Sequence, residues 1–180
     1  MYRELGGMFR DAPRSSRVLC ISNSLGFAEI LGLGGADLVG VDYPEYNLLD
    51  LKAFRDASFD FIISDQVLEH IEGNPALAFK ESYRVLKPGG IAVHTTCFIN
   101  PIHNIPVDLW RFTPYALRHL ASDFSQIIKC GGWGNRAVWI IDAIGMRTTP
   151  VPHATWHPLH KMATANNALW PVSTWIVARK

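Results

Sequence analysis

The sequence has no Cys-x-x-C pair, and its three cysteines, Cys20, Cys97 and Cys130, are odd in number and widely spaced. That spacing suggests neither a zinc site nor a disulfide framework. Each cysteine lies in or beside an apolar run, where the free side chain acts as a small hydrophobe, so a reducing cytoplasm is expected. No apolar stretch approaches the roughly 20 residues that a membrane-spanning helix needs. The opening MYRELGGMFRDAPR has no hydrophobic segment of the signal-peptide kind. A net charge of +1 gives no sign of the basic face that nucleic acid demands, so neither a membrane nor a nucleic-acid partner is expected. There are no internal repeats and no low-complexity tracts. The G-x-G-x-x-G turn that seats a pyrophosphate is missing as well, which disfavours a dinucleotide-dependent oxidoreductase.

What remains is 180 residues, 48% hydrophobic and 18% charged, enough for one domain, 1–180, with a sizeable core. Strand-like and helix-like segments alternate from Arg17 onward. Val18–Ile21 reads as a buried strand, Phe27–Leu33 as a helix closed by Gly34-Gly35, and Leu38–Val41 as a second strand. FDFIIS (59–64) is a continuous apolar strand of the kind a parallel sheet buries on both faces. A helix carrying Leu77, Phe79, Tyr83, Val85 and Leu86 follows, and KPGG (87–90) stops it. IAVHTT (91–96) is another strand. TPYALRHLA (113–121) is a helix with Thr113 as N-cap and Pro114 at its first position. SQIIKC (125–130) and STWIVARK (173–180) complete the set. Such alternation predicts an α/β, doubly wound, mostly parallel sheet that binds its ligand beyond the carboxyl ends of its strands.

Three motifs stand out: Ser58-Phe59-Asp60 opening a strand, Val67-Leu68-Glu69-His70 just past it, and Arg84-Val85-Leu86-Lys87-Pro88-Gly89-Gly90 before the next. Together they resemble the class I S-adenosylmethionine-dependent methyltransferases over about residues 17 to 130. NPIHNIPVDLWRFTP (100–114) is similar to a segment found in a bacterial subset of that group. The resemblance implies a Rossmann-like sheet with an antiparallel last strand, S-adenosyl-L-methionine as cofactor, and a small-molecule acceptor.

On that basis Asp42, at the tip of the second strand, is placed to take both hydroxyls of the cofactor's ribose, since a carboxylate accepts two hydrogen bonds. The family's glycine-rich first turn reads here as Ser22, Asn23, Ser24, Leu25, Gly26, keeping one glycine of three. Without a pyrophosphate to cradle, the turn needs room and donors for a carboxylate, and serine and asparagine supply small volume and hydrogen bonds. The 17 residues from Tyr43 to Phe59 are too few for a full helix and strand. A short strand near Leu48–Leu51 is expected instead, with Asp50 and Leu51 against the adenine or, equally, in a surface turn. Asp65 and Gln66 follow the strand that faces the reacting methyl; Asp65 either meets cofactor or substrate or caps the next helix. His70 is a candidate pocket residue or a packed histidine.

His103 is the first candidate for a general base towards a hydroxyl acceptor, with Asp108 as its orienter. Asp108 paired with Arg111 in a structural ion pair is the competing reading. An insertion, residues 131–172, separates the last two strands, and all six tryptophans fall between 110 and 175. They fit substrate contacts, a homodimer interface or plain core. His153, His157 and His160 have helical spacing, but Pro158 and the want of an acidic partner argue against a metal there. The leading expectation is methyl transfer to a hydroxyl of a sugar or natural product. The competing one is a catalytically silent domain kept for partner binding.

Overall fold

The computed structural model describes residues 1–103, 107–146 and 150–180. Its six strands are β1 (Arg17–Ile21), β2 (Asp37–Val41), β3 (Phe59–Asp65), β4 (Leu86–Cys97), β5 (Gln126–Trp133) and β6 (Ser173–Arg179). They form one sheet in the order β2-β1-β3-β4-β6-β5. Strands β2, β1, β3 and β4 are mutually parallel, and β6 runs antiparallel to both β4 and β5.

The buried strands alternate their side chains between two cores. Leu19, Ile21, Phe59 and Ile62 face one side with Ala78, Phe79 and Val85 of helix α3 (Pro75–Val85) and Leu117 of α4 (Pro114–Leu120). Val18, Cys20, Phe61 and Ile63 face the other, against Leu5 of α1 (Tyr2–Leu5) and Phe27, Ala28 and Leu31 of α2 (Leu25–Leu31). Helices on both faces of a mostly parallel sheet make the fold doubly wound. Helix α2 stops earlier than the sequence predicts because Gly32, not Gly34-Gly35, takes the left-handed cap at φ +89°. A Cβ on Gly32 would lie 2.8 Å from the Arg10 backbone nitrogen. At the other end, β5 continues to Trp133, past the expected Cys130.

Two of the motifs belong to the foundation of this sheet. Asp60 takes the Lys87 ammonium at 2.8 Å and the Arg17 backbone N–H at 2.8 Å, tying the amino ends of β1, β3 and β4. Pairing slips from Phe59↔Leu86 to Phe61↔Ile91, so KPGG bulges out of the ladder. Gly89 there has φ +79°, and a Cβ on Gly90 would lie 2.9 Å from the Lys87 carbonyl. Ser58-Phe59-Asp60 and Lys87-Pro88-Gly89-Gly90 therefore sit at the opposite end of the strands from any ligand crevice.

The strand expected near Leu48–Leu51 does not form; an isolated Asn47↔Asp50 bridge takes its place. The backbone groups that would have joined a ladder are satisfied by α3. Glu81 accepts from the Leu51 N–H at 2.7 Å, and Arg84 donates to the Leu51 and Phe54 carbonyls at 3.0 and 2.9 Å. Buried backbone must find partners somewhere, and here side chains supply them.

Between β5 and β6 lie α5 (Arg136–Ala143) and α6 (Pro158–Thr164), neither with a buried residue. Asn135 joins them: it caps α5 through Val138 N at 2.9 Å and donates to the Met162 and Ala165 carbonyls at 2.8 and 2.7 Å. The tryptophans divide by place. Trp175 is core and Trp133 packs on it, Trp139 pairs with Trp170 at 6.2 Å, and Trp156 stands 73% exposed. His157 is the N-cap of α6 and its Nδ1 accepts from Leu159 N, while His160 bonds the Pro152 carbonyl. Pro158 at the first helical position thus keeps the three histidines from forming one helical face.

Candidate functional site

A cleft of about 400 Å³ opens at the carboxyl ends of β1, β2 and β3, lined by Ser22, Asp42, Tyr43, Tyr46, Gln66 and His70 among others. That volume suits a small ligand of nucleoside size. Its floor is the first turn, where Ser22 and Asn23 adopt the left-handed region at φ +53° and +49°. These are conformations glycine would take without strain, and asparagine tolerates them better than most residues.

The turn's polar side chains all reach away from one another. Ser22 Oγ donates to Asp42 Oδ1 at 3.2 Å. Ser24 Oγ donates to the Ile21 carbonyl at 2.5 Å and accepts from Asp65 N at 3.2 Å, stapling β1 to β3. Asn23 Oδ1 lies over Gly40, where a Cβ would come within 2.6 Å of it. The glycine that the turn lacks is thus found across the strand pair, at position 40. A Cβ on Gly26 would meet nothing within 4 Å. Ser24, expected among the cofactor contacts, is buried and committed to the staple, and Asn23 is held against β2.

Asp42 is exposed at the cleft, and its two hydrogen bonds, from Ser22 and from Tyr43 N at 3.0 Å, both fall on Oδ1. Beyond it, Asp50 pairs with Lys52 at 2.6 Å on the surface. Leu51, expected against an adenine ring, is instead 1% exposed in the core. The apolar wall of the cleft comes from Tyr43, Tyr46 and Leu48. Two tyrosines three residues apart, directly after Asp42, are the sign of this wall in the sequence.

Asp65 is enclosed: Tyr2 donates to Oδ2 at 2.8 Å and Thr95 to Oδ1 at 2.5 Å. Burial pushes the Tyr2 phenol well above its ordinary range, and the Asp65 bond adds to it. The N-terminal segment therefore reaches the end of β3, which no pattern in MYRELGG announces. Gln66, at φ +55°, donates through its side chain to Thr95 at 3.2 Å. A non-glycine residue held in that region marks stored strain, common where ligands bind.

Past the cleft lies a polar cluster. The 3-10 turn Leu68–His70 carries Glu69, fully buried, with Oε2 accepting from Thr96 at 2.8 Å. Its carbonyl accepts from Leu109 N at 2.9 Å and Trp110 N at 3.1 Å, pinning the segment after β4 to this turn. The pinning sets the His70 and His103 rings edge to face at 5.0 Å. His103 Nδ1 lies 3.1 Å from Asp108 Oδ2, which also accepts from the His103 backbone N–H at 3.0 Å. Arg111 grips Asp108 with both guanidinium nitrogens, one at 2.6 Å, and holds its carboxyl well below the usual range. The orienter and ion-pair readings of Asp108 therefore coexist in one side chain. Residues 104–106 of this segment lie outside the described residues. Burial pushes the nearby Cys97 thiol up to about 12, so it is inert as a nucleophile.

Residues 7–94 match the family model described as a methyltransferase domain. That stretch, about half of the chain, is similar to the methyltransferase-domain family. The fold comparisons agree. A SAM-dependent methyltransferase from Archaeoglobus fulgidus is similar at TM-score 0.60 and 16% identity, over 96% of this chain and 91% of that one. A second, from Mesorhizobium loti, gives TM-score 0.59 and 13% identity over 99% and 95%. A phosphoethanolamine N-methyltransferase from Haemonchus contortus, solved with S-adenosylhomocysteine, gives 0.58 and 16% over 99% and 52%. A search of curated protein sequences returns no match. The cleft has the features that S-adenosylmethionine, the cofactor of those structural neighbours, would need. An exposed carboxylate stands at the tip of β2, aromatic rings line one wall, and the bend's own side chains leave the cavity open. Among the described residues no helix is long and apolar enough to cross a membrane.

Proposed function

We propose that this protein is a methyltransferase acting on a hydroxyl of a small molecule, a sugar or natural product. The acceptor R–OH gains the methyl as R–O–CH3, the sulfonium leaves as the neutral thioether S-adenosylhomocysteine, and one proton is released. The cofactor supplies an electrophilic methyl, so the chain's task is to align the oxygen and dispose of its proton.

The observation that carries this reading is the His103–Asp108–Arg111 series beside His70. A carboxylate next to Nδ1 holds the proton on that nitrogen and leaves Nε2 with its lone pair. Arg111 keeps the carboxylate ionised, so the imidazole stays oriented. Asp42 would take the ribose hydroxyls, Tyr43, Tyr46 and Leu48 would flank the base, and Ser22, Gln66 and Asp65 would stand nearer the amino-acid end. Asp50, Leu51, Ser24, Asn23 and Gly26 then act through the shape of the walls.

Turnover with S-adenosylmethionine over a panel of hydroxylated and amine acceptors tests the class. His103→Ala should lower turnover about a hundredfold and leave S-adenosylhomocysteine affinity unchanged. Equal turnover would remove the base assignment. If calorimetry detects no S-adenosylhomocysteine binding at millimolar ligand, the silent-domain reading replaces the enzyme. A homodimer through the exposed Trp139, Ile140, Ile144 and Trp156 is a further part of this reading, and light scattering on the intact chain checks it.

A further inference from the structure

Three side chains of the polar cluster have more in common than a proton relay needs. One ligand atom from each of Glu69, His70 and His103 lies within 4.8 Å of the other two. Glu69 is completely buried, and among the described residues its Oε1 has no hydrogen-bond partner. A carboxylate oxygen taken out of water without a donor is costly unless a proton or a cation meets it. Nδ1 of His70 faces the Val107 carbonyl, and Nδ1 of His103 faces Asp108 Oδ2 at 3.1 Å with the Pro101 carbonyl and Asn100 Nδ2 each at 3.3 Å. That leaves both Nε2 lone pairs uncommitted to those partners. Oxygen acceptors behind Nδ1 are the outer-shell pattern that orients metal-bound histidines.

We propose that Glu69, His70 and His103 form a binding site for a divalent transition metal of the zinc, cobalt or manganese class. Two imidazole nitrogens and one carboxylate oxygen suit such ions, and three protein ligands leave an open coordination position. The neighbouring group Cys97, His103 and Asp108 also lies within 4.8 Å, but Arg111 occupies both oxygens of Asp108, which leaves that carboxylate as the orienter of His103. The site rests on the methyl-transfer reading only for its use. A hydroxyl bound at the open position would have its pKa lowered by the ion. His103 would then serve as a ligand, and the released proton would leave from the coordinated hydroxyl.

Metal binding is read without turnover. Titration of the intact chain with Co²⁺ should give visible ligand-field bands saturating at one equivalent. Titration with Zn²⁺ should shift the imidazole proton resonances of two of the seven histidines, assigned by His70→Asn and His103→Asn. Glu69→Gln and His103→Asn should each weaken Zn²⁺ at least tenfold, while His157→Asn changes nothing. Thermal unfolding of each variant, measured alongside, reports an intact fold, and S-adenosylhomocysteine affinity of the wild-type chain tests the cofactor reading separately. No Co²⁺ bands in the wild-type chain would overturn the site. So would bands that survive both substitutions, or Zn²⁺ shifts confined to His153, His157 and His160.

Discussion

Replacing Asp42 with alanine removes the carboxylate at the tip of β2 and, with it, the acceptor proposed for the cofactor's ribose diol. The structure sets the scale. Asp42 is exposed, so each hydrogen bond it makes to the diol competes with water and sits at the lower end of the roughly 1.5–3 kcal/mol that bonds to charged groups contribute. Two such bonds, discounted for solvent, come to about 2 kcal/mol, or a thirtyfold weaker Kd. The same substitution strands Ser22 Oγ and Tyr43 N, whose bonds to Oδ1 are 3.2 and 3.0 Å. Both donors lie at the surface and can turn to water, so stability should move by less than about 0.5 kcal/mol. Asp42→Asn, which keeps Oδ1 and loses the charge, should fall between, at five- to tenfold. Calorimetry with S-adenosylhomocysteine gives the affinities and thermal unfolding gives the control. A Kd within twofold of wild type for Asp42→Ala, with the fold intact, would refute the ribose assignment.

Gly40→Ala places a methyl 2.6 Å from Asn23 Oδ1, so it should weaken S-adenosylhomocysteine about fivefold, and the double variant with Asn23→Gly should recover it. Absence of that recovery would show that the two positions are not coupled. Burial lowers His94 to about 4, where Ser64 and Ser82 hold its two nitrogens at 2.8 and 3.2 Å. Because the folded value lies below the unfolded one of about 6.5, the stabilisation is complete above pH 6.5 and is lost as pH falls towards 4. Between pH 7 and 5 this group should cost about 2 kcal/mol in urea unfolding, and His94→Gln should flatten that slope; an unchanged slope would show another group responsible. Buried Glu69, whose carboxyl burial raises, opposes the trend, so the comparison is cleanest in a Glu69→Gln background. Leu5→Ala, at 0% exposure in the core beneath α2, should cost about 2–5 kcal/mol, and a loss under 1 kcal/mol would mean that the N-terminal segment is not anchored there.

Sequence periodicity carried the fold well. The continuous apolar runs in FDFIIS and RVLCI read as strands buried on both faces, and Thr113-Pro114 as the start of a helix. The region after Asp42 was less legible, because Leu48 and Leu51 are apolar for the sake of the core, while α3 side chains 30 residues away satisfy their backbone. Asp60 and Lys87 belong to the motifs that carry the family resemblance, yet they brace the end of the sheet away from the cleft.

Composition and local pattern by themselves determined a doubly wound, mostly parallel sheet and a carboxylate at the tip of β2, since each follows from neighbours within a few residues, whereas the antiparallel last strand was implied by the family resemblance. Only the tertiary structure decided that Gly40 makes room for Asn23, that Tyr2 closes over Asp65, and that a buried glutamate meets two imidazoles from separate segments. Those outcomes depend on distances between residues remote in the chain, and no spacing along a sequence encodes them.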